Sequence, residues 1–356
     1  PTLYVISPPR EIFEGIRPEV KQHIVMLPDF LRYPSGRFKG ITRSLLAGRI
    51  PLPKRILYYW FPKKYFDRII HAEAGDTILI YEACNVRVLR AIRPYLPEGV
   101  PCYIYYCNPV GTTFRRPAEE LQAIRALGYR LTSFDPCEAE RYGMACTGQY
   151  FRYPEHQPDN IDSDCFFCGL PKDRAGTLQR LRTRLEAEGL TCDFVIPRTP
   201  AEKLTYPQYL DRLARTRCVI DISQKGQTGL TRRPLEALFY GKKLLTDNPE
   251  IAHYDFYRPQ NVFILGKDPE EQLRAFIESP LAEVPETVRA AYDVNEWKGI
   301  TCRDFYNHKK EYRKHPMQRH IAYVRMCQLI HTDVFGTRFL GTGRHFPLLR
   351  RWIIGK

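Results

Sequence analysis

Short apolar runs alternate along this chain with stretches whose apolar residues recur at helical spacing. Thr77 to Tyr81 (Thr-Ile-Leu-Ile-Tyr) is a continuous apolar run, which predicts a strand covered on both faces. Val86, Leu89, Ile92 and Leu96 then fall near helical spacing and predict a helix. A strand over 103–106, a helix carrying Leu121, Ile124 and Leu127 and closed by Gly128, and a strand over 130–134 follow. Upstream, residues 23–26 predict a strand ending at Pro28, and residues 38–46 suit a short basic helix. Such alternation argues for a parallel sheet with helices on both faces.

The rhythm breaks once. Residues 154–162 (Pro-Glu-His-Gln-Pro-Asp-Asn-Ile-Asp) are polar, carry two prolines and show no period, as a linker does. Beyond it the pattern restarts with a strand over 165–168. A helix with Leu178, Leu181 and Leu185 inward ends at Gly189. Strands over 192–196 and 218–222 flank a helix over 206–216, with Leu210 and Leu213 inward. A short helix over 234–240, ended by Gly241, and a strand over 243–246 come next. A strand over 262–265 and a helix over 269–277 complete the unit. The expected organisation is therefore a first domain at 1–153, a linker at 154–163, a second domain at 164–299 and an extension at 300–356.

Composition agrees with a two-domain globular protein: 356 residues, 44% hydrophobic and 26% charged. No apolar run nears the roughly 20 residues that span a bilayer, and residues 1–10 lack the apolar core of a secretory signal. The 11 cysteines are scattered, several in strand-like runs, which reads as reduced thiols in a cytoplasmic protein. Cys165 and Cys168 form a lone Cys-x-x-Cys without the second pair a structural zinc site needs, so strand packing is expected of them. Asp162-Ser-Asp164 has the letters of a metal-binding Asp-x-Asp, yet it closes a polar linker instead of ending a buried strand.

Charge is distributed unevenly. Residues 1–64 hold 12 Lys/Arg and 4 Asp/Glu, and residues 300–356 hold 12 and 3, while the remainder is nearly balanced. Basic ends attract phosphates, whether of anionic lipid, a pyrophosphate-linked acceptor or nucleic acid. A solvated basic surface is the ordinary alternative. Residues 345–356 mix bulky apolar groups with Arg350 and Arg351, a composition suited either to a bilayer interface or to a helix packed on the body.

Candidate chemistry concentrates between Asp221 and Thr246. A strand ends, a polar loop with Gly226 and Gly229 follows, and a helix is expected to start at Pro234. Ligands of open α/β sheets bind beyond the C-terminal ends of strands, where free backbone N–H groups and the helix dipole favour phosphate. Arg232 or Arg233 adds a fork of donors. Glu236 is placed in the first turn of that helix, where a carboxylate can accept from two ribose hydroxyls or simply answer the helix dipole. The Gly-Lys-Ser/Thr ending of a P-loop is missing. A second constellation, Gly169 with Lys172 and Arg174, follows the strand over 165–168 and can hold a pyrophosphate; solvated loop charges are the ordinary alternative. On the first-domain side, Glu82 and Asn108 follow strands and are acceptor-side candidates. His71, His253 and His320 have no partner at ligand spacing and are expected to be structural.

Gln227-Thr-Gly-Leu-Thr-Arg-Arg-Pro-Leu-Glu-Ala-Leu-Phe-Tyr-Gly-Lys-Lys-Leu-Leu-Thr-Asp-Asn248 resembles the donor-binding half of bacterial polysaccharide and lipopolysaccharide glycosyltransferases. Val219-Ile-Asp-Ile222, Tyr254-Asp-Phe-Tyr257 and the Lys172-Asp-Arg174 turn extend the likeness over residues 164–265. The resemblance implies an α/β, GT-B fold: two Rossmann-like domains facing across a cleft, here with a C-terminal helical extension. It implies ribose binding by Glu236 and diphosphate binding by Lys172 and Arg174, the three expected catalytic residues. Gly169, Gln227, Thr228, Gly229, Leu230, Thr231 and Arg232 join Glu236 as expected donor-binding residues. Many such enzymes carry a second acid in a Glu-x7-Glu pattern; that position here is Thr228.

The expected activity is transfer of a hexosyl group, with retention favoured over inversion, from a nucleotide sugar to a surface glycan. Lipopolysaccharide, capsule or a related lipid-linked acceptor would receive it at the inner face of the cytoplasmic membrane. No metal or other cofactor and no nucleic acid is expected. A nucleotide-sugar epimerase of the same fold, and a non-catalytic basic nucleic-acid-binding protein, are the alternatives.

Overall fold

The structure, a computed structural model, describes residues 2–8, 13, 15–27, 45, 52–83, 85–224 and 227–295. Six strands build a first sheet: β1 (Leu3–Ile6), β2 (Ile24–Leu27), β3 (Thr77–Tyr81), β4 (Cys102–Tyr106), β5 (Arg130–Ser133) and β6 (Ala145–Cys146). Their order is β2-β1-β3-β4-β5-β6, with every pairing parallel. A second sheet holds β7 (Ser163–Cys168), β8 (Cys192–Val195), β9 (Thr216–Asp221), β10 (Lys243–Thr246) and β11 (Val262–Ile264). Its order is β11-β10-β9-β7-β8, again all parallel. These are two Rossmann-like domains facing across a cleft, the GT-B architecture expected.

The continuous apolar runs behave as their composition demands. All five positions of β3 and of β4 are buried, because helices cover both faces of the sheet. Short helical turns aside, the covering helices are α1 (Lys63–Ile70), α2 (Val86–Ile92), α3 (Pro117–Ala126), α4 (Pro136–Arg141), α5 (Ala175–Ala187), α6 (Tyr206–Ala214), α7 (Arg232–Tyr240) and α8 (Leu273–Glu278). Asn85 caps α2 by accepting from the Arg87 and Val88 amides, and Thr205 with Gln208 forms a capping box at α6. Leu178, Leu181 and Leu185 are the buried stripe of α5, each worth about 1.5–3 kcal/mol of apolar burial.

Strand order reverses between β1 and β3 in the first sheet and between β7 and β9 in the second. A reversal sends the two connections to opposite faces and opens a crevice at the strands' C-terminal ends. All three non-glycine residues with positive φ among the described residues lie just past strands at these edges: Ser7 after β1, Glu82 after β3 and Lys172 a few residues after β7. The chain passes between the sheets twice. The Phe151 amide donates to the Tyr292 carbonyl, the Val294 amide donates to the Phe151 carbonyl, and Val294 is buried in the first sheet's core.

Several elements depart from expectation. β1 is absent from the expected pattern, yet it sits between β2 and β3; a four-residue run at the very start of the chain offers little periodicity to read. The helix expected from Pro234 begins two residues earlier, at Arg232 with Thr231 as its cap residue, so Glu236 lies beyond the first turn. Cys165 and Cys168 belong to opposite faces of β7, in separate cores, as residues three apart on a strand must. The extension 300–356, Gly226 and all of 38–46 but Leu45 lie outside the described residues. Among the described residues no helix is long and apolar enough to cross a membrane.

Candidate functional site

A cleft of about 560 Å³ lies where the C-terminal edges of the two sheets meet, with β7 and β9 forming its second-domain wall at the switch point. Phe167, near the end of β7, carries two guanidinium groups on its ring, Arg174 at 5.3 Å and Arg233 at 5.1 Å from the ring centre. Such like charges converge only where something holds them. Arg233 donates to the Cys168 carbonyl at 2.7 Å and pairs with the Asp221 carboxylate at 3.4 Å. Arg174 is 8% exposed and donates to the carbonyls of Ile222 and Leu170, while its buried Nε has no partner among the described residues.

Gly169 makes this convergence possible. A Cβ there would lie 2.8 Å from Arg233 Nη2 and 3.2 Å from Arg174 Nη2. Lys172, at φ 43°, reaches over to donate to Gln224 Oε1 at 2.8 Å, joining the loop after β7 to the loop after β9. Partial burial, and then the neighbouring Arg174, hold the Lys172 ammonium below its usual range.

Glu236 is 2% exposed and accepts from the Tyr209 hydroxyl through Oε2, while Oε1 has no partner among the described residues. Burial raises its pKa, opposed by the Tyr209 hydrogen bond and by Arg232 and Arg233. Asp221, at the end of β9, accepts from Thr231 at 2.9 Å and from Thr246 at 3.4 Å, and burial raises it too. Of the charged groups lining the cleft among the described residues, Lys172, Arg174, Arg232 and Arg233 outnumber the one carboxylate, Glu236, while Asp173, Asp221 and Asp247 stand behind these cations. Cations graded from the exposed Lys172 to the buried Arg174, beside a buried carboxylate, suit a ligand with adjacent phosphates and hydroxyls.

The expected residues divide into two groups. Gly169, Lys172, Arg174, Gln227, Thr231, Arg232 and Glu236 line the cleft together, and Asn108 faces them from the first domain. Thr228, Gly229 and Leu230 do not line it. The Thr228 and Gly229 amides are engaged by Asp135 at 2.9 and 2.6 Å, and Leu230 is 2% exposed in the second domain's core. Glu82 also stands off the cleft, accepting from the Cys107 and Asn108 amides through Oε1 at 2.5 and 2.8 Å. It organises the loop that presents Asn108.

Sequence reasoning passes over Asp221, Tyr209 and Gln149 as site residues, and names Arg233 only as an alternative to Arg232. Asp221 has a legible signal, a carboxylate ending an apolar strand. Tyr209 and Asp135 have none, since each acquires its role through a distant partner, and Gln149 is brought to the cleft only by the fold.

No family model matches the chain, and no curated protein does. Among solved structures it is similar to one described as the crystal structure of the glycotransferase of kitacinnamycin. Identity is 14% and the TM-score 0.38, over 86% of this chain and 98% of that one. At that likeness, the fold rests on the two strand orders themselves.

Proposed function

We propose that this protein is a glycosyltransferase that takes a sugar from a nucleotide donor. The observation that carries the proposal is the meeting of the Gly169–Arg174 loop and α7 at the switch point, with surplus cations beside a buried carboxylate. Lys172, Arg174 and Arg233 hold the diphosphate and stabilise the charge that develops on it as the glycosidic bond breaks. Glu236, already fixed by Tyr209 through Oε2, offers Oε1 to the ribose hydroxyls. Among the described residues, the first-domain wall of the cleft (Cys107, Asn108, Pro109, Phe134 and Gln149) carries no carboxylate or imidazole. Retention, which the resemblance implies, belongs to the proposal, with the leaving phosphate itself taking the proton of the incoming hydroxyl.

The acceptor side of the proposal is a surface glycan, lipid-linked, met at the inner face of the cytoplasmic membrane. Between residues 53 and 68 the exposed side chains are Pro53, Arg55, Tyr59, Lys63, Lys64 and Arg68, and Tyr59 is 82% exposed. Asp67, the acid of this stretch, is occupied by Tyr58, Lys54 and Lys63. Cations around an exposed aromatic suit an anionic bilayer surface.

The donor reading is tested by nucleotide titration and turnover. Arg174→Ala and Glu236→Ala are each expected to weaken nucleoside-diphosphate affinity at least about tenfold, the loss of one charge-assisted contact. Retention of full affinity and turnover in both variants would remove the site assignment.

A further inference from the structure

We propose that Asp135 is a positioning residue that latches the two domains together by gripping the turn that leads into α7. Only its consequence for nucleotide binding rests on the reading above.

Asp135 follows β5 at the edge of the first sheet and is 1% exposed. Its Oδ1 accepts from the Glu138 amide at 3.1 Å, capping α4, and from the Thr228 hydroxyl at 2.8 Å. Its Oδ2 accepts from two successive backbone amides of the second domain, Thr228 at 2.9 Å and Gly229 at 2.6 Å. Consecutive amides aimed at one anion form a backbone nest, and hydrogen bonds to a carboxylate are about twice as strong as neutral ones. One carboxylate thereby takes three of its four bonds from across the domain boundary.

The turn is built to receive it. A Cβ on Gly229 would lie 2.7 Å from Asp135 Cα and 2.9 Å from Phe134 Cε2, so only glycine admits the first domain this closely. Asn248 Nδ2 donates to the Thr228 carbonyl at 3.2 Å and holds the turn from behind. Gln227 and Thr231, on either side of the gripped residues, line the cleft. The latch consequently sets the distance between the donor-side loop and the first-domain wall.

Asp135→Asn separates the latch from the helix cap. Asparagine is nearly isosteric and remains a good N-cap. Its NH2 group, however, meets the Thr228 and Gly229 N–H groups donor to donor, which no rotation cures while Oδ1 caps α4. Amide hydrogen exchange of the full chain reads both functions at once. The expected result is exchange of the Thr228 and Gly229 amides at least about tenfold faster, with Glu138 within about threefold of wild type. Unchanged exchange at 228 and 229, or equal acceleration at Glu138, overturns the proposal. Should Asp135→Asn not fold, Gly229→Ala attacks the latch from the other side and carries the same expectation. Titration of the same variant with whichever of uridine, guanosine, adenosine, cytidine or thymidine diphosphate binds the wild-type chain most tightly is expected to show weakening of at least about fivefold. Failure of the wild-type chain to bind any of the five would count against the donor reading and leave the exchange test of Asp135 intact.

Discussion

Gly169→Ala offers a sharp separation of site from fold. The added Cβ would stand 2.8 Å from Arg233 Nη2, and that atom must retreat by roughly 0.6 Å to reach ordinary contact. A guanidinium end is movable, so the backbone need not break. The group is nevertheless tied to the Cys168 carbonyl at 2.7 Å and to Asp221 at 3.4 Å, and Arg174 Nη2 is crowded from the same point at 3.2 Å. Overpacking of this kind costs about 1–3 kcal/mol in a rigid core, and mobile neighbours bring it to the low end. Misplacing a charge-assisted contact to the diphosphate costs about 1.5–3 kcal/mol, or ten- to hundredfold in affinity. The variant should therefore unfold at most a few degrees below wild type while binding nucleoside diphosphate at least about tenfold more weakly. Calorimetric titration beside a thermal melt measures both. Wild-type affinity in a folded Gly169→Ala chain would refute the idea that the two guanidinium groups hold the ligand where they now stand.

Two further expectations follow from the buried acid and the basic surface. Burial raises the Glu236 pKa above the ordinary 4.5 of a glutamate, so the folded state holds that proton more tightly than the unfolded chain, and the corresponding stability is lost as pH rises through the folded value. Glu236→Gln should gain melting temperature relative to wild type as pH rises above about 4.5; a difference that stays constant with pH would contradict a carboxylate charging in a buried site. For the membrane face, Tyr59→Ser combined with Lys63→Glu and Lys64→Glu should strongly reduce co-sedimentation with vesicles rich in phosphatidylglycerol, since each basic residue contributes about 1 kcal/mol at an anionic surface. Equal sedimentation of both chains would move any membrane contact elsewhere.

Local pattern alone specified most of the second domain. Continuous apolar runs marked β7, β9 and β10, the Leu178–Leu181–Leu185 stripe marked α5, and glycines marked where α5 and α7 stop. These features depend on side-chain period and on caps, which act within a few residues. The resemblance, joined to the rule that sites form at strand ends, led to Lys172, Arg174 and Glu236. Tertiary structure decided what no window could hold. Insertion of β1 between β2 and β3 is a matter of sheet order, and Asp135 meets Thr228 across 93 residues. Gly169 is required by two arginines that converge on it from later in the chain, and Glu236 is fixed by Tyr209 from a different helix. Periodicity selects each element and the face it buries; which polar groups then become neighbours depends on the order in which the strands assemble.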